Sequence, residues 1–301
     1  MNFTIIISLL FFALLALGGE RTIPLADSND EALRELLVRW GRYAGAAYSE
    51  FEQWSTGCAA CQASEDMRQT VLNATWSTSL PAFSRGFIGV SPLRREVIVS
   101  FRGTTHIMDV LTDSQMAQAP WPIPESRVHL GFLLAYMSAR HTVQTALQRL
   151  LVSTAEDYDV VFVGHSLGAA QAVLAYVDFC MKDEGGCRRA RLVTFGAPRV
   201  GNRRFAQLVN SLESASMSLR VVHGSDIVPQ LPLPRGQYVH GDCEVWVKGE
   251  GEKDEGSELI VCNPSPEGGA EEDAACSGST HMWQWSVQDH LEYPGIKIEV
   301  F

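Results

Sequence analysis

Ser166 stands in Gly164-His165-Ser166-Leu167-Gly168, a G-x-S-x-G pentapeptide. Before it, "DVVFVG" is β-branched and apolar; after it, "LGAAQAVLAYVDFCM" is small and helix-prone. A strand that runs straight into a helix needs a tight, strained turn. Glycines two residues to either side let the two elements approach without Cβ clashes. The hydroxyl is then presented above a sheet, at a helix N-terminus, where a nucleophile would stand. A serine hydroxyl is a poor nucleophile at neutral pH, so it needs a base, and the base needs an orienting carboxylate. On a turn of this kind the three follow in the order serine, acid, histidine. Asp226, in "RVVHGSDIVPQLP", comes just past a β-rich run. Four histidines follow Ser166, namely His223, His240, His281 and His290. Spacing alone does not separate His290 from His281 or His240. Attack on a carbonyl would create an oxyanion, which needs preorganised N–H donors. The backbone N–H of Leu167, directly after the serine and at the helix N-terminus, is one.

The surrounding elements must hold these groups. "SNDEALRELLVRWGRYAGAAYSEF" has a capping-box pattern at Ser28 and Glu31, then Leu33, Leu36, Leu37, Trp40, Tyr43, Ala44 and Ala47 at helical spacing. Such a stripe reads as a helix packed on the core. Short β-rich runs "RGFIGV" and "EVIVSFRG" come next, then a long helical pattern in "GFLLAYMSARHTVQTALQRLL". After the Ser166 strand and helix come a strand in "RLVTFGAP", a helix in "NRRFAQLVNSL" and a strand in "SLRVVHG". Strands alternating with helices imply a mainly parallel sheet with helices on both faces. "YVHGDCEVWVKG" suggests an edge strand, and Gly249 to Thr280, rich in Gly, Glu and Ser, reads as a loop. The short basic cluster Arg188, Arg189 and Arg191 reads as a solvated helix-to-strand connection.

Bulk properties narrow the setting. The first residues hold an apolar run from Ile5 to Leu17, with Ala16 and Gly18 placed for cleavage. This reads as a signal peptide over 1–18, leaving 19–301 as one domain exported from the cell. No later stretch is apolar enough to span a bilayer. The formal charge is −11, from 24 Lys+Arg against 35 Asp+Glu, which argues against nucleic acid or an anionic membrane as partner. In an exported chain seven cysteines suggest disulfides. The local pairs are Cys58–Cys61 and Cys262–Cys276, with Cys180–Cys187 across a helix end and Cys243 left over. "NAT" at Asn73 is a glycosylation sequon.

"SFRGTT", "VHLGF", "GHSLGAA", "TFGAPRVGN", "RVVHGSDIVPQLP", "YVHGDCEVW" and "DHLEY" occur in this order. Together they resemble the secreted fungal triacylglycerol lipases of the class 3 lipase family, over roughly Gly86 to Tyr293. The resemblance implies an α/β-hydrolase fold. It implies Ser166 as nucleophile, Asp226 as orienting acid and His290, in the D-H-L stretch, as base. It also implies Thr104 of "FRGTT" as the second oxyanion donor; losing one such donor typically costs ~3–4 kcal/mol of transition-state stabilisation. His165 is expected to pack inside the turn and His129 to make a structural hydrogen bond.

Directly after Thr104, Ile107, Met108, Val110 and Leu111 fall on one face of a short helix. By the same resemblance this is an amphipathic lid over Ser166. Exposing four such side chains to water costs roughly 6–12 kcal/mol, and a lipid surface removes that cost. The expectation is therefore a secreted, monomeric triacylglycerol lipase working at the lipid–water interface on acylglycerols, through an acyl-enzyme. No metal or organic cofactor is required. A feruloyl or other soluble carboxylesterase, a phospholipase, and a catalytically dead lipid-binding relative are the alternatives. Val110 stands where family lipases often carry tryptophan.

Overall fold

The computed structural model describes residues 30–54, 58, 60–79, 82–104, 117–153, 157–182, 184–213, 217–233, 237–241, 243–249, 257–262 and 276–298. The signal-peptide reading of 1–18, the Ser28 cap and the lid residues Ile107, Met108, Val110 and Leu111 lie outside the described residues.

The chain begins with α1 (Asp30–Ala46), followed by β1 (Val71–Ser77), β2 (Arg85–Ser91) and β3 (Glu96–Phe101). A small hairpin of β4 (Gln118–Pro120) and β5 (Arg127–His129) leads into the long α2 (Leu130–Ser153). Then come β6 (Asp159–His165), α3 (Leu167–Lys182), β7 (Ala190–Phe195), α4 (Arg203–Glu213) and β8 (Met217–His223). The described chain closes with β9 (Cys243–Lys248), β10 (Glu258–Cys262) and the one-turn α5 (Gln288–Leu291), which leads into a two-residue-strand hairpin over Glu292–Lys297. Eight strands form one sheet in the order β1-β2-β3-β6-β7-β8-β9-β10. The five from β3 to β9 in that order are mutually parallel. β1–β2, β2–β3 and β9–β10 are antiparallel.

Side-chain alternation along the central strands produces two cores. Val160 and Phe162 of β6 pack with α2 and α3 on one face, together with Val97, Val99 and Leu192. Val161 and Val163 point the other way and join Leu37, Trp40 and Tyr43 of α1, with Val193, Phe195 and Val221. A strand buried on both faces reads as an unbroken apolar run, as "VVFV" does. The expected aromatic stripe of α1 is therefore core. α1 also braces the chain near its far end: a Cβ on Gly41 would lie 1.8 Å from the carbonyl oxygen of Pro294, so helix and hairpin touch backbone to backbone.

Three details differ from the sequence reading. β9 is not the edge, because β10 pairs beyond it along Glu258–Cys262. The stretch expected as loop thus contains the last strand, half-exposed and stabilised by its ladder rather than by its own burial. At the other edge β1 appears where no strand was expected, with a register shift between Leu72 and Ala74 that leaves exposed Asn73 out of the ladder. Arg191 is not a solvated loop residue. It starts inside β7 and pairs with Glu96 and Asp159 at the neighbouring strand starts. Cys58–Cys61, Cys180–Cys187 and Cys262–Cys276 are joined, with Cα separations of 5.1, 4.5 and 6.4 Å, and Cys243 is a buried thiol.

Candidate active site

β6 ends at His165 and α3 begins at Leu167, leaving Ser166 alone on the turn with φ +60°. That left-handed conformation is strained for a residue with a side chain. It persists because the turn is held from both sides. The Ser166 N–H donates to the Phe195 carbonyl at 3.0 Å, and its own carbonyl accepts the Ala169 N–H at 2.9 Å. The flanking glycines are a packing requirement: a Cβ on Gly164 would lie 2.4 Å from the backbone of Gly168, and one on Gly168 would lie 2.2 Å from the Phe101 carbonyl oxygen. Ser166 itself is fully buried.

Asp226, just past β8, is also fully buried. Its Oδ1 accepts the Val228 N–H at 2.8 Å, and its Oδ2 accepts from His290 Nδ1 at 2.8 Å. The same carboxylate thus caps the local turn and orients the imidazole. With Nδ1 donating to Asp226, Nε2 is the ring nitrogen left for another partner. Ser166 Oγ and His290 Nε2 are both buried atoms with no hydrogen-bond partner among the described residues. His290 sits on α5, which is pinned by Asp289: its Oδ2 accepts the Ser225 N–H at 2.7 Å and its Oδ1 the Ser286 hydroxyl at 2.8 Å. Gly196, at φ +57°, passes so close that a Cβ would meet Asp226 Oδ2 at 2.9 Å and the His290 ring at 3.0 Å.

Arg102, Gly103 and Thr104 pass beside this turn. A Cβ on Gly103 would lie 2.6 Å from the His165 carbonyl oxygen and 2.9 Å from Ser166 Cβ. Half-buried Thr104 is the next residue. Leu167 is the first residue of α3, so its N–H has no carbonyl one turn back to bond. Among the described residues no group of three His, Cys, Asp or Glu is placed to hold a metal ion, and no helix is long and apolar enough to cross a membrane.

The family model for class 3 lipases matches residues 98–236. The secreted mono- and diacylglycerol lipase A of Penicillium cyclopium is 31% identical over 231 residues, covering 73% of this chain and 73% of that protein. The chain belongs to the class 3 lipase family. A lipase of Rhizopus niveus is 29% identical over 266 residues, covering 85% of this chain. That match spans 63% of the Rhizopus protein, so the chain covers less than two thirds of that relative's length. Among solved structures, a triacylglycerol lipase whose catalytic centre is a serine protease triad superposes with a TM-score of 0.77 at 27% identity, covering 90% of this chain and 97% of that one. The α/β-hydrolase fold follows from the same likeness and from the mainly parallel sheet.

Two side chains of this member of the class 3 lipase family matter more than its sequence indicated. His165 was expected to pack inside the turn, and it does, but it also bonds at both ring nitrogens. Nε2 lies 2.8 Å from the His290 carbonyl oxygen, and Nδ1 lies 2.8 Å from the Tyr48 hydroxyl. A carbonyl only accepts, so Nε2 carries the proton and Tyr48 donates to Nδ1. Burial, together with neighbouring His290, holds the His165 pKa well below the ordinary histidine value. Tyr293 is the second: its buried hydroxyl donates to Asp226 Oδ2, giving that carboxylate three donors. Burial and then the Asp226 charge push its phenol well above the usual tyrosine range. An aromatic residue three positions after the D-H-L histidine was the available signal, unreadable without knowing what lay opposite. Of the other histidines, His129 receives the Phe132 N–H at Nδ1, as the expected structural bond, and His240 bonds the Pro229 carbonyl. His223 bonds the Asp289 carbonyl, and exposed His281 stacks on Trp283.

Proposed function

We propose that this chain hydrolyses carboxylic esters as a triacylglycerol lipase, through an acyl-enzyme formed on Ser166. The observation that carries the reading is the 2.8 Å bond from His290 Nδ1 to buried Asp226 on an imidazole whose Nε2 has no protein partner among the described residues, in the same site as a serine held at φ +60°. In this reading His290 Nε2 takes the Ser166 proton as Oγ attacks the ester carbonyl carbon. The carbonyl electron pair moves onto oxygen, and the N–H of Leu167 and the Thr104 donor receive that oxyanion. The intermediate collapses, the C–O bond breaks, and the alcohol leaves with the proton held by His290. Water then repeats the sequence and releases the acid.

The likeness to relatives named as lipases supports acylglycerols as substrate class. The apolar segment holding Ile107, Met108, Val110 and Leu111 supports a lid that opens at a lipid surface. Export behind the 1–18 segment fits the three disulfides, which persist in oxidising compartments. A single domain over 19–301 acting as a monomer completes the proposal.

The test is a panel of emulsified long-chain triglyceride, phospholipid, feruloyl ester and a water-soluble short-chain ester. Ser166→Ala is the control. The expected result is a rise in rate above the solubility limit of the triglyceride, with turnover abolished in the variant. Faster turnover of feruloyl ester or phospholipid, or no rise at the solubility limit, overturns the triacylglycerol assignment. Turnover surviving Ser166→Ala overturns the mechanism.

A further inference from the structure

Large apolar side chains are exposed on both flanks of the candidate site. On one flank are Met282, Trp283 and Val287, with Trp283 at 81% exposure. Their segment is fixed to the site. Ser286 N–H donates to the Ser225 carbonyl at 2.9 Å, and Ile227 N–H donates back to the Ser286 carbonyl at 3.2 Å, on either side of Asp226. Trp283 is stacked on His281 with ring centroids 4.3 Å apart, so the indole is held in place while it faces solvent. On the other flank are Phe83, at 58% exposure, with Leu134 and Met137 one turn apart on α2. Phe83 lies between Ala82 and Ser84, whose carbonyls both accept from Thr78, and Thr78 bonds Ser138 of α2. This loop runs into β2 beside Arg102, since the Arg102 N–H donates to the Arg85 carbonyl. Both patches therefore lie at the carboxyl end of the parallel strands, the end where Ser166 stands. Among the described residues, the other exposed large apolar side chains, Val71, Leu93, Val152 and Met181, lie at the opposite end of their strands and helices.

Charge says what these patches face. Trp76 to Ser84, Leu130 to Ser138 and Cys276 to Gln288 contain no Asp, Glu, Lys or Arg, in a chain where 20% of residues are charged and the net charge is −11. At that average, 31 residues would carry about six charges. A rim whose exposed apolar side chains sit in charge-free segments, though Arg85 and Asp289 flank them, complements an uncharged lipid surface better than an anionic one on a protein of net charge −11. Indole and phenyl rings standing out from such a rim are the side chains that partition into a lipid–water boundary at low entropic cost.

We infer that Met282, Trp283 and Val287 on one flank, and Phe83, Leu134 and Met137 on the other, form a docking face for an uncharged lipid surface. This face lies outside the lid segment and seats the mouth of the site on the lipid. The inference rests on the reading of the site as a lipase, and names the surface by which it would meet its substrate phase.

Binding is measured by co-sedimentation of Ser166→Ala protein with triolein droplets, phosphatidylcholine vesicles and phosphatidylglycerol vesicles. The expected result is partition onto droplets and phosphatidylcholine in preference to phosphatidylglycerol. In that background, Trp283→Glu and Phe83→Glu should each weaken partition at least about tenfold, and Trp283→Tyr should restore most of it. The same substitutions with Ser166 intact should leave turnover of a soluble short-chain ester within about twofold, since neither side chain touches the reacting groups. Partition unchanged in both glutamate variants overturns the docking face, as does preference for phosphatidylglycerol. A concentration-dependent dimer that dissociates in the variants while droplet partition stays constant assigns the face to a second copy and also overturns it. Failure of the hydrolase reading would show separately, as absent soluble-ester turnover.

Discussion

The imidazole of His165 donates from Nε2 to the backbone carbonyl of His290 at 2.8 Å, and the two rings stand 4.6 Å apart. The residue before the expected nucleophile thus holds the main chain of the expected base, 125 positions away. Tyr48 sets the tautomer that makes this donation. Removing the Tyr48 hydroxyl lets the His165 ring lose its fixed proton position. Tyr48→Phe should lower kcat about fivefold, the worth of roughly 1 kcal/mol for one net hydrogen bond, with KM unchanged. Steady-state kinetics on a soluble ester decide it; an altered KM at constant kcat would place Tyr48 on the substrate side instead.

Asp226→Asn keeps the size of the side chain but not its charge. The amide cannot stabilise a forming imidazolium and favours the wrong tautomer of His290. A loss of about 10⁴ in kcat is expected, with folding retained because Val228 can still donate to the remaining oxygen. Near-normal kcat in a folded Asp226→Asn protein would remove Asp226 from the mechanism.

Tyr293→Phe should weaken activity rather than abolish it. Its hydroxyl is one of the three donors that hold the Asp226 carboxylate, which in turn bonds the His290 ring. Loss of one net hydrogen bond, worth roughly 1 kcal/mol, should lower kcat on a soluble ester about fivefold. An unchanged kcat in a folded Tyr293→Phe protein would remove Tyr293 from the positioning of Asp226.

Gly168→Ala tests the turn itself. The added Cβ would sit 2.2 Å from the Phe101 carbonyl oxygen, which belongs to a central strand and cannot yield. A loss of stability of at least about 3 kcal/mol is expected from thermal or urea unfolding. A stable, active Gly168→Ala protein would show that α3 and β3 do not approach so closely.

Among the described residues, three histidines are held neutral by their surroundings: His129 and His165 are buried and His240 is partly buried. Burial pushes His129 down to about 4 and holds His165 and His240 well below the ordinary value, His240 also through nearby Arg220 and Arg199. The unfolded chain takes up these protons near pH 6.5, while the folded chain refuses them until much lower. Their contribution is thus complete above about pH 6.5 and is lost as the pH falls, by up to about 1.4 kcal/mol per unit for each group. Urea midpoints should drop between about pH 7.5 and about pH 5, and His129→Gln should flatten the slope. An unchanged midpoint across that range would mean these rings are hydrated.

Local pattern determined much of this protein. "DVVFVGHSLGAAQAVLAYVD" encodes a doubly buried strand, a strained turn and a helix within twenty residues, because burial on both faces and helix propensity are written in neighbouring side chains. The alternation that follows likewise announces a mainly parallel sheet. What depends on distant partners could not be read this way. β10 is a strand because β9 offers it a ladder, although its flanks are acidic and glycine-rich. Asp226 could equally have been a turn residue, and in the fold its carboxylate bonds both the local turn and the His290 ring. His290 differed from His240 and His281 only by resemblance to a family until the fold placed its Nδ1 against Asp226. The bonds of His165 to His290 and of Tyr293 to Asp226 join groups brought together only by closure of α5 over β6 and β8. Secondary structure follows from short-range periodicity. The protonation and orientation of buried polar groups follow from which chain segments exclude water around them, and only the tertiary structure sets that.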